Sequence, residues 1–436
     1  MAHRDLADLE LRALAFVDER ELVRDLVDLV AVPSISGSAA EADIQHRLAK
    51  QLRRLDLDVD LWPIDLDRVT ADPDFPGWEV ERSESWGLVA GPDLTAGGPE
   101  MPPALVLQGH VDVVPPGDLS RWSGEPFLPR VTGDRVHGRG TVDMKAGVVA
   151  SLAAVRAVRA AGIQLERDYA LHLVVGEEDG GLGAFATLRR GHRGEVCVIA
   201  EPTSGTVTTA NAGALTFEIS VPGSATHGST RYAGVSAFEA FLPVNAALAG
   251  LEARRNAAVD PLMREYPVAY PLSIGRVRCG DWASSVPDLL VAEGRLGVAL
   301  DEDPDDARAE LEHVVADVAA AHPWLRDHPP TVTWSGGQFA SGRYNDDRYA
   351  GDHGRLLETV RSAHADVTVG PPPRERGAPY GSDLRLYAQA GIPTLHYGPG
   401  DVRLAHGPDE SVAVSELVTV TEALVLTLLR TCGAHV

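Results

Sequence analysis

The sequence predicts an α/β fold: a mixed, mainly parallel sheet with helices on both faces, plus an inserted small α+β domain with an antiparallel sheet. Three observations carry this. Between residues 104 and 200, short apolar runs alternate with helical patterns, the spacing of βαβ units whose parallel sheet is covered on both sides. Near Asn211 the rhythm changes to a β-α-β-β-α order, which suits a small antiparallel α+β domain. After Pro329-Pro330 the first rhythm resumes. The expected division is residues 1–212 and 329–436 for one domain and 213–328 for the inserted one.

The N-terminus, from Met1 to about Asp28, is rich in Asp, Glu, Arg and Leu. It reads as one amphipathic helix, neither a signal peptide nor a membrane span. Val32-Pro33-Ser34-Ile35-Ser36-Gly37 then stops that helix, and a second runs from about Glu41 to Leu55. From Trp62 to Pro103, Pro, Gly and Asp thicken with little periodicity, the composition of long loops around a short strand. Strands follow at Ala104–Gln108, Tyr169–Val175 and Val196–Ala200, with helices at Met144–Ala161 and Leu182–Arg190. The inserted domain takes strands at Thr216–Val221, Leu272–Arg278 and Leu289–Leu300 and helices at Ser236–Arg254 and Pro304–Ala321. Helices at Gly351–Ala365, Asp383–Ala390 and Val414–Leu429 and a strand at Thr394–Tyr397 complete the chain.

Composition bounds the function. The 436 residues suffice for about two to three domains. A formal net charge of −24 disfavours nucleic acid and anionic membranes as partners. Cys197, Cys279 and Cys432 are too scattered for a metal finger and read as buried free thiols in a reducing cytoplasm.

The chemistry gathers at strand ends. His110 and Asp112 close a buried apolar strand, and residues two apart in a strand point the same way. Ligands bind beyond the carboxyl ends of such strands, and the pair suits a metal-bound imidazole whose other nitrogen is held by a carboxylate. Asp143 lies in the glycine-bearing loop Gly138–Lys145 before a helix, where an acid that simply caps the helix is the plainer reading. Glu177-Glu178-Asp179 follows another apolar strand, and adjacent acids repel unless a cation or solvent neutralises them. Glu201 ends a further strand, and His406 sits in a late loop. Two His and three carboxylates make a ligand set for a pair of Zn²⁺, Co²⁺ or Mn²⁺ ions, Zn²⁺ foremost, with one carboxylate bridging. Such a pair brings a bound water's pKa toward about 7 and polarises a carbonyl, while a free carboxylate moves the proton. No Gly-x-Ser-x-Gly elbow supports a serine hydrolase. A non-catalytic binding protein is disfavoured because every metal and base position holds a competent side chain.

These segments, in this order, resemble the metallohydrolase family of aminoacylase, acetylornithine deacetylase, succinyl-diaminopimelate desuccinylase and glutamate carboxypeptidase. The resemblance runs from Val32-Pro33-Ser34 to the last helix and is most specific at Gly109–Pro115, Gly138–Gly147, Gly176–Gly180, Glu201-Pro202-Thr203 and Gly391–Glu410. It implies that His110, Asp143 and Glu201 hold one metal and Asp143, Glu178 and His406 the other. Asp112 would orient His110, and Glu177 would be the general base and later acid. The inserted domain would be a lid and dimerisation domain, making the chain a homodimer. Its His227, within Gly223–Ser229, would stabilise the oxyanion, and Arg295 would bind a substrate carboxylate. Ser284 stands where many members carry Asn, which puts one substrate contact in doubt. His137, His192, His353, His364 and His396 match no ligand position, and Tyr380-Gly381-Ser382-Asp383 borders the substrate pocket or caps a helix. The expected activity is cleavage of the amide of an N-acyl amino acid or related N-acyl amine by a metal-bound water. A metallo-dipeptidase or carboxypeptidase on the same site is the alternative, and the substrate would be a small molecule with an amide and a carboxylate.

Overall fold

A computed structural model of the chain describes residues 2–94, 102–345 and 356–435, without the side chains of 2–7. The chain divides into two compact units. The first comprises residues 1–209, 343–376 and 386–436, the second residues 210–342 and 377–385.

The first unit is built on a mixed sheet. Four strands at its centre, in the order Tyr169–Val174, Leu105–His110, Val196–Pro202 and Thr394–Gly398, run parallel. Antiparallel strands flank them: Trp86–Gly91 and then Asp58–Pro63 on one side, Val207–Asn211 on the other. Every residue of Leu105–His110 and Tyr169–Val174 is buried, as strands covered on both faces must be. The alanine-rich helix Ala146–Ala160 presses close to this sheet. A Cβ on Gly147 would stand 1.9 Å from the Ala200 carbonyl oxygen, so only glycine fits there. Helix Val414–Cys432 packs in the same core through Leu417, Leu424 and Leu428.

The second unit is a four-stranded antiparallel sheet in the order Leu272–Cys279, Leu289–Val298, Gly213–Pro222 and Thr331–Phe339. Its helices Ala237–Arg255 and Pro304–Ala321 supply Val244, Leu248, Leu311 and Val315 to one core with Phe217, Ile219 and Leu296. Alternating burial along Gly213–Pro222 marks a strand with one face on that core.

Three expectations are corrected. The N-terminal helix is two, Ala2–Leu14 and Glu19–Val30. The break falls where Asp18 turns its carboxylate back onto the Arg20 and Glu21 N–H groups, an N-cap inside a pattern whose charges run on without interruption. Strand Thr331–Phe339, not expected from the sequence, completes the second sheet, because its pairing with residues 214–220 is long-range. Cys279 is exposed at the end of an edge strand, although Cys197 and Cys432 are buried; none of the three is in a disulfide. Helix Leu356–Thr368 takes the place expected for Gly351–Ala365, whose residues 351–355, His353 among them, lie outside the described residues.

Candidate metal centre

His110 ends the central strand and is 1% exposed. Its Nδ1 lies 3.0 Å from the Asp112 carbonyl oxygen and 3.5 Å from the Asp112 carboxylate, which holds the proton there. Nε2 is thereby left to face Asp143 Oδ1 at 3.0 Å and Glu201 Oε1 at 3.5 Å. The second carboxylate oxygen of Asp143 faces a different imidazole, His406 Nε2, at 3.3 Å, and Glu178 Oε2 lies 3.1 Å from that same nitrogen. Asp143 therefore turns one oxygen to each histidine. Glu177 and Glu201 each bring a carboxylate oxygen within 4.8 Å of a His110 ring nitrogen and of each other.

These separations suit metal ions. Donors around a tetrahedral Zn²⁺ with bonds of about 2.0–2.1 Å stand about 3.3 Å apart, close to the 3.0–3.5 Å between imidazoles and carboxylates here. The electrostatics agree. Burial opposes charge on His110, yet hydrogen bonds to Asp112 and Asp143 raise its pKa well above the usual imidazole range. Hydrogen bonds to Asp143 and Glu178 push His406 up to about 11. Burial, reinforced by Asp143, holds the Glu178 carboxyl high, while for Asp143 the two imidazoles outweigh burial and hold it low. So many carboxylates ask for positive charge, which divalent ions provide.

Asp112 does more than face His110. Its carboxylate accepts from Ser36 Oγ at 2.9 Å and from the Glu177 and Glu178 N–H groups at 3.2 Å each, so it fixes the start of the acidic loop. Both flanks of that loop are fixed by groups outside the set of sequence candidates. Arg82 binds Asp179 through two 2.9 Å bonds, and Glu41 Oε1 accepts from Gly176 N at 3.0 Å while lying 3.6 Å from Arg82. Burial, then the neighbouring Asp112, pushes Glu41 up to about 8. Gly180 lies at φ 148° and packs against the Gly77 carbonyl, where a Cβ would come within 2.1 Å. Lys145, buried, donates to Leu29 O at 3.1 Å and Val32 O at 2.8 Å, tying the Asp143 turn to the end of helix Glu19–Val30, and burial brings it down to about 7. Arg82 lies in the aperiodic stretch and carries no local signal. Glu41 sits in a segment that a helix start already accounts for.

The remaining candidates belong to the second unit. His227 is exposed, and its Nδ1 accepts from Ser229 N at 3.2 Å and lies 2.7 Å from Ser229 Oγ. A neutral ring so held carries its proton on Nε2. Residue 284 meets this loop through its backbone, Gly228 N donating to Ser284 O at 2.6 Å, and His227 pairs with Ser285 as an isolated bridge. Arg295 is exposed, on the face of strand Leu289–Val298 opposite buried Leu290, Ala292 and Leu296. Ser382 Oγ accepts from Leu384 N at 3.3 Å, the helix-cap alternative for that motif. His192, His364 and His396 stand outside the cluster: His192 Nε2 lies 2.8 Å from Asp60, His364 Nδ1 lies 2.8 Å from the Tyr397 hydroxyl, and His396 is buried in a strand. His137 lies in strand Arg135–His137.

Residues 106–430 match the model of peptidase family M20/M25/M40. The chain belongs to this family. It is accordingly a metal-binding hydrolase that acts on amide bonds, as the motifs implied. Among M20 relatives, N-formyl-4-amino-5-aminomethyl-2-methylpyrimidine deformylase of Halalkalibacterium halodurans is 28% identical over 441 residues, covering 96% of each chain. Succinyl-diaminopimelate desuccinylase of Xylella fastidiosa is 28% identical over 351 residues, covering 76% of this chain and 85% of that one. The M20-type fold is shared with the di-peptidase Dug1p of Saccharomyces cerevisiae at a TM-score of 0.74 and 14% identity, with 99% of each chain covered.

Proposed function

We infer that this protein is an N-deacylase that removes a small acyl group, formyl foremost, from an amine, using two divalent ions, Zn²⁺ before Co²⁺ or Mn²⁺. The observation that carries the two-metal reading is the double-facing Asp143 carboxylate, with one oxygen toward His110 and one toward His406. His110, Asp143 and Glu201 would hold one ion, and Asp143, Glu178 and His406 the other. Bound there, the ions supply Lewis acidity and lower the pKa of the attacking water.

The protein's own groups supply the rest. Glu177, 7% exposed and fixed at its N–H by Asp112, takes the proton from the attacking water and passes it to the leaving nitrogen. His227 offers an Nε2–H to the developing oxyanion. Arg295, turned away from the hydrophobic core, suits a substrate carboxylate where one is present. The acyl group is read as small because the deformylase relative matches over nearly the whole of both chains.

The second unit serves in this reading as lid and as the contact of a homodimer. Its edge strand Leu272–Cys279 has one neighbour and exposes Val277, and helix Ala237–Arg255 leaves Phe238 and Leu242 about half exposed, features that invite a second copy. Three cysteines outside any disulfide fit the cytoplasm. Among the described residues no helix is long and apolar enough to cross a membrane.

Metal analysis followed by a hydrolysis screen tests the proposal. N-formyl aminomethylpyrimidine and N-formyl, N-acetyl and N-succinyl amino acids would be compared with dipeptides. Turnover of the N-acyl amines above the dipeptides is expected, and preference for dipeptides would replace this reading with a peptidase.

A further inference from the structure

Two buried, oppositely charged residues outside the ligand set join the loops that carry Asp143 and His406. Glu410 Oε1 accepts from the N–H groups of Val142 at 2.8 Å and Asp143 at 3.2 Å. Its other oxygen lies 2.6 Å from Arg139 Nη1, with the two side chains 0% and 2% exposed. Arg139 Nη2 donates to the His406 carbonyl at 3.1 Å and reaches toward Pro115 O at 3.5 Å, and the guanidinium lies 5.2 Å from the Trp122 ring centroid. One guanidinium thus touches the segment after the His110 strand, the His406 loop and, through Glu410, the Asp143 turn.

The two halves of the centre depend on this contact unequally. His110 and Glu201 lie on neighbouring strands of the central sheet, and Asp112 holds His110 Nδ1. His406 lies off that frame. It sits in a loop at φ 60° with its side chain 54% exposed, so its ring is only as well placed as its backbone.

We propose that Arg139 and Glu410 act as one positioning pair on which metal affinity in the His406 half of the centre depends far more than it does in the His110 half, which shares with it the bridging Asp143 but is otherwise set by the central sheet and Asp112. This rests on the two-metal reading above. Glu410→Gln separates the functions of the carboxylate: the amide oxygen still accepts from Val142 and Asp143, whereas the ion pair with Arg139 is lost. Arg139→Met removes the pair from the other side, and Arg139→Lys keeps the charge but cannot serve both Glu410 and the His406 carbonyl.

The test is a Co²⁺ titration of the full chain after chelation, followed by visible absorption and by bound metal after desalting. The wild type is expected to take up two equivalents. In Arg139→Met and in Glu410→Gln the first should bind nearly as in the wild type and the second about 10–100-fold more weakly. The double variant should be no worse than either single one, the signature of a coupled pair. If Arg139→Met does not fold, Arg139→Lys and Glu410→Gln carry the test. Both equivalents weakened together, or neither, overturns the proposal; a wild type that binds fewer than two Co²⁺ overturns the two-metal reading itself.

Discussion

Replacing Arg82 by Met removes one partner of a buried ion pair and should cost about 3–5 kcal/mol, the usual effect of leaving a buried charge uncompensated. The structure argues for that full range. Arg82 is 0% and Asp179 4% exposed at the side chain, their two 2.9 Å bonds form a bidentate pair, and Glu41 lies 3.6 Å from the same guanidinium. The substitution therefore strands the buried Asp179 carboxylate and leaves Glu41 without its neighbouring guanidinium. A domain is stable by about 5–15 kcal/mol, so urea unfolding of the variant should show a much earlier midpoint. The loss should also depend on pH, because protonation can neutralise what the guanidinium no longer does: it should be larger at pH 8 than at pH 5.5. Glu41 gives an internal control on the sign. Its folded pKa of about 8 exceeds the ordinary glutamate value of 4.5, so its contribution is fully present below 4.5 and is lost as pH rises toward 8. The slope is about 1.4 kcal/mol per pH unit across that window. Glu41→Gln, which keeps an acceptor for Gly176 N, should flatten that slope. A midpoint for Arg82→Met within about 0.5 kcal/mol of wild type, well below the cost of breaking a buried pair, refutes the reasoning, as does a greater loss at pH 5.5.

Two further outcomes follow from packing and burial. Burial holds His172 and His396 down to about 3, so both stay neutral in the fold while the unfolded chain protonates them near 6.5. Their stabilisation is complete above that value and is lost as pH falls toward 3, at about 1.4 kcal/mol each by pH 5.5. His172→Gln and His396→Gln should each narrow the gap between urea midpoints at pH 7.5 and 5.5, and an unchanged gap contradicts the assignment. Gly147→Ala should push helix Ala146–Ala160 off the strand that carries Glu201, since the new Cβ meets the Ala200 carbonyl at 1.9 Å. A loss of about 1–3 kcal/mol or more and weaker metal binding are expected; unaltered metal affinity and stability would show that the close approach is not needed.

The part of the centre built on strand ends was legible because a buried apolar run that stops abruptly at a polar group marks the sheet edge where ligands bind. His110 and Glu201 stand where Leu105–His110 and Val196–Pro202 end, and the Glu177-Glu178 pair follows Tyr169–Val174. Helix Pro304–Ala321 was legible for a local reason too, with Asp303 capping and Pro304 opening it. The supporting network was not. Arg82 meets Asp179 across 97 residues and Arg139 meets Glu410 across 271, and no periodicity within a segment announces such a partner. Strand Thr331–Phe339 hid for the same reason: Gly336 and Gly337 interrupt its alternation, and only pairing with Gly213–Pro222 makes it a strand. Asp18 could equally have continued a helix or capped one.

The central claim is that Glu177 moves the proton while the neighbouring carboxylates and imidazoles hold the metals. Glu177→Ala, compared with wild type for bound metal and for hydrolysis of the N-formyl substrates, tests it most directly. Unchanged metal content with turnover reduced by about 10²–10⁴-fold is the predicted result. Near-wild-type hydrolysis, or loss of metal together with activity, would contradict it.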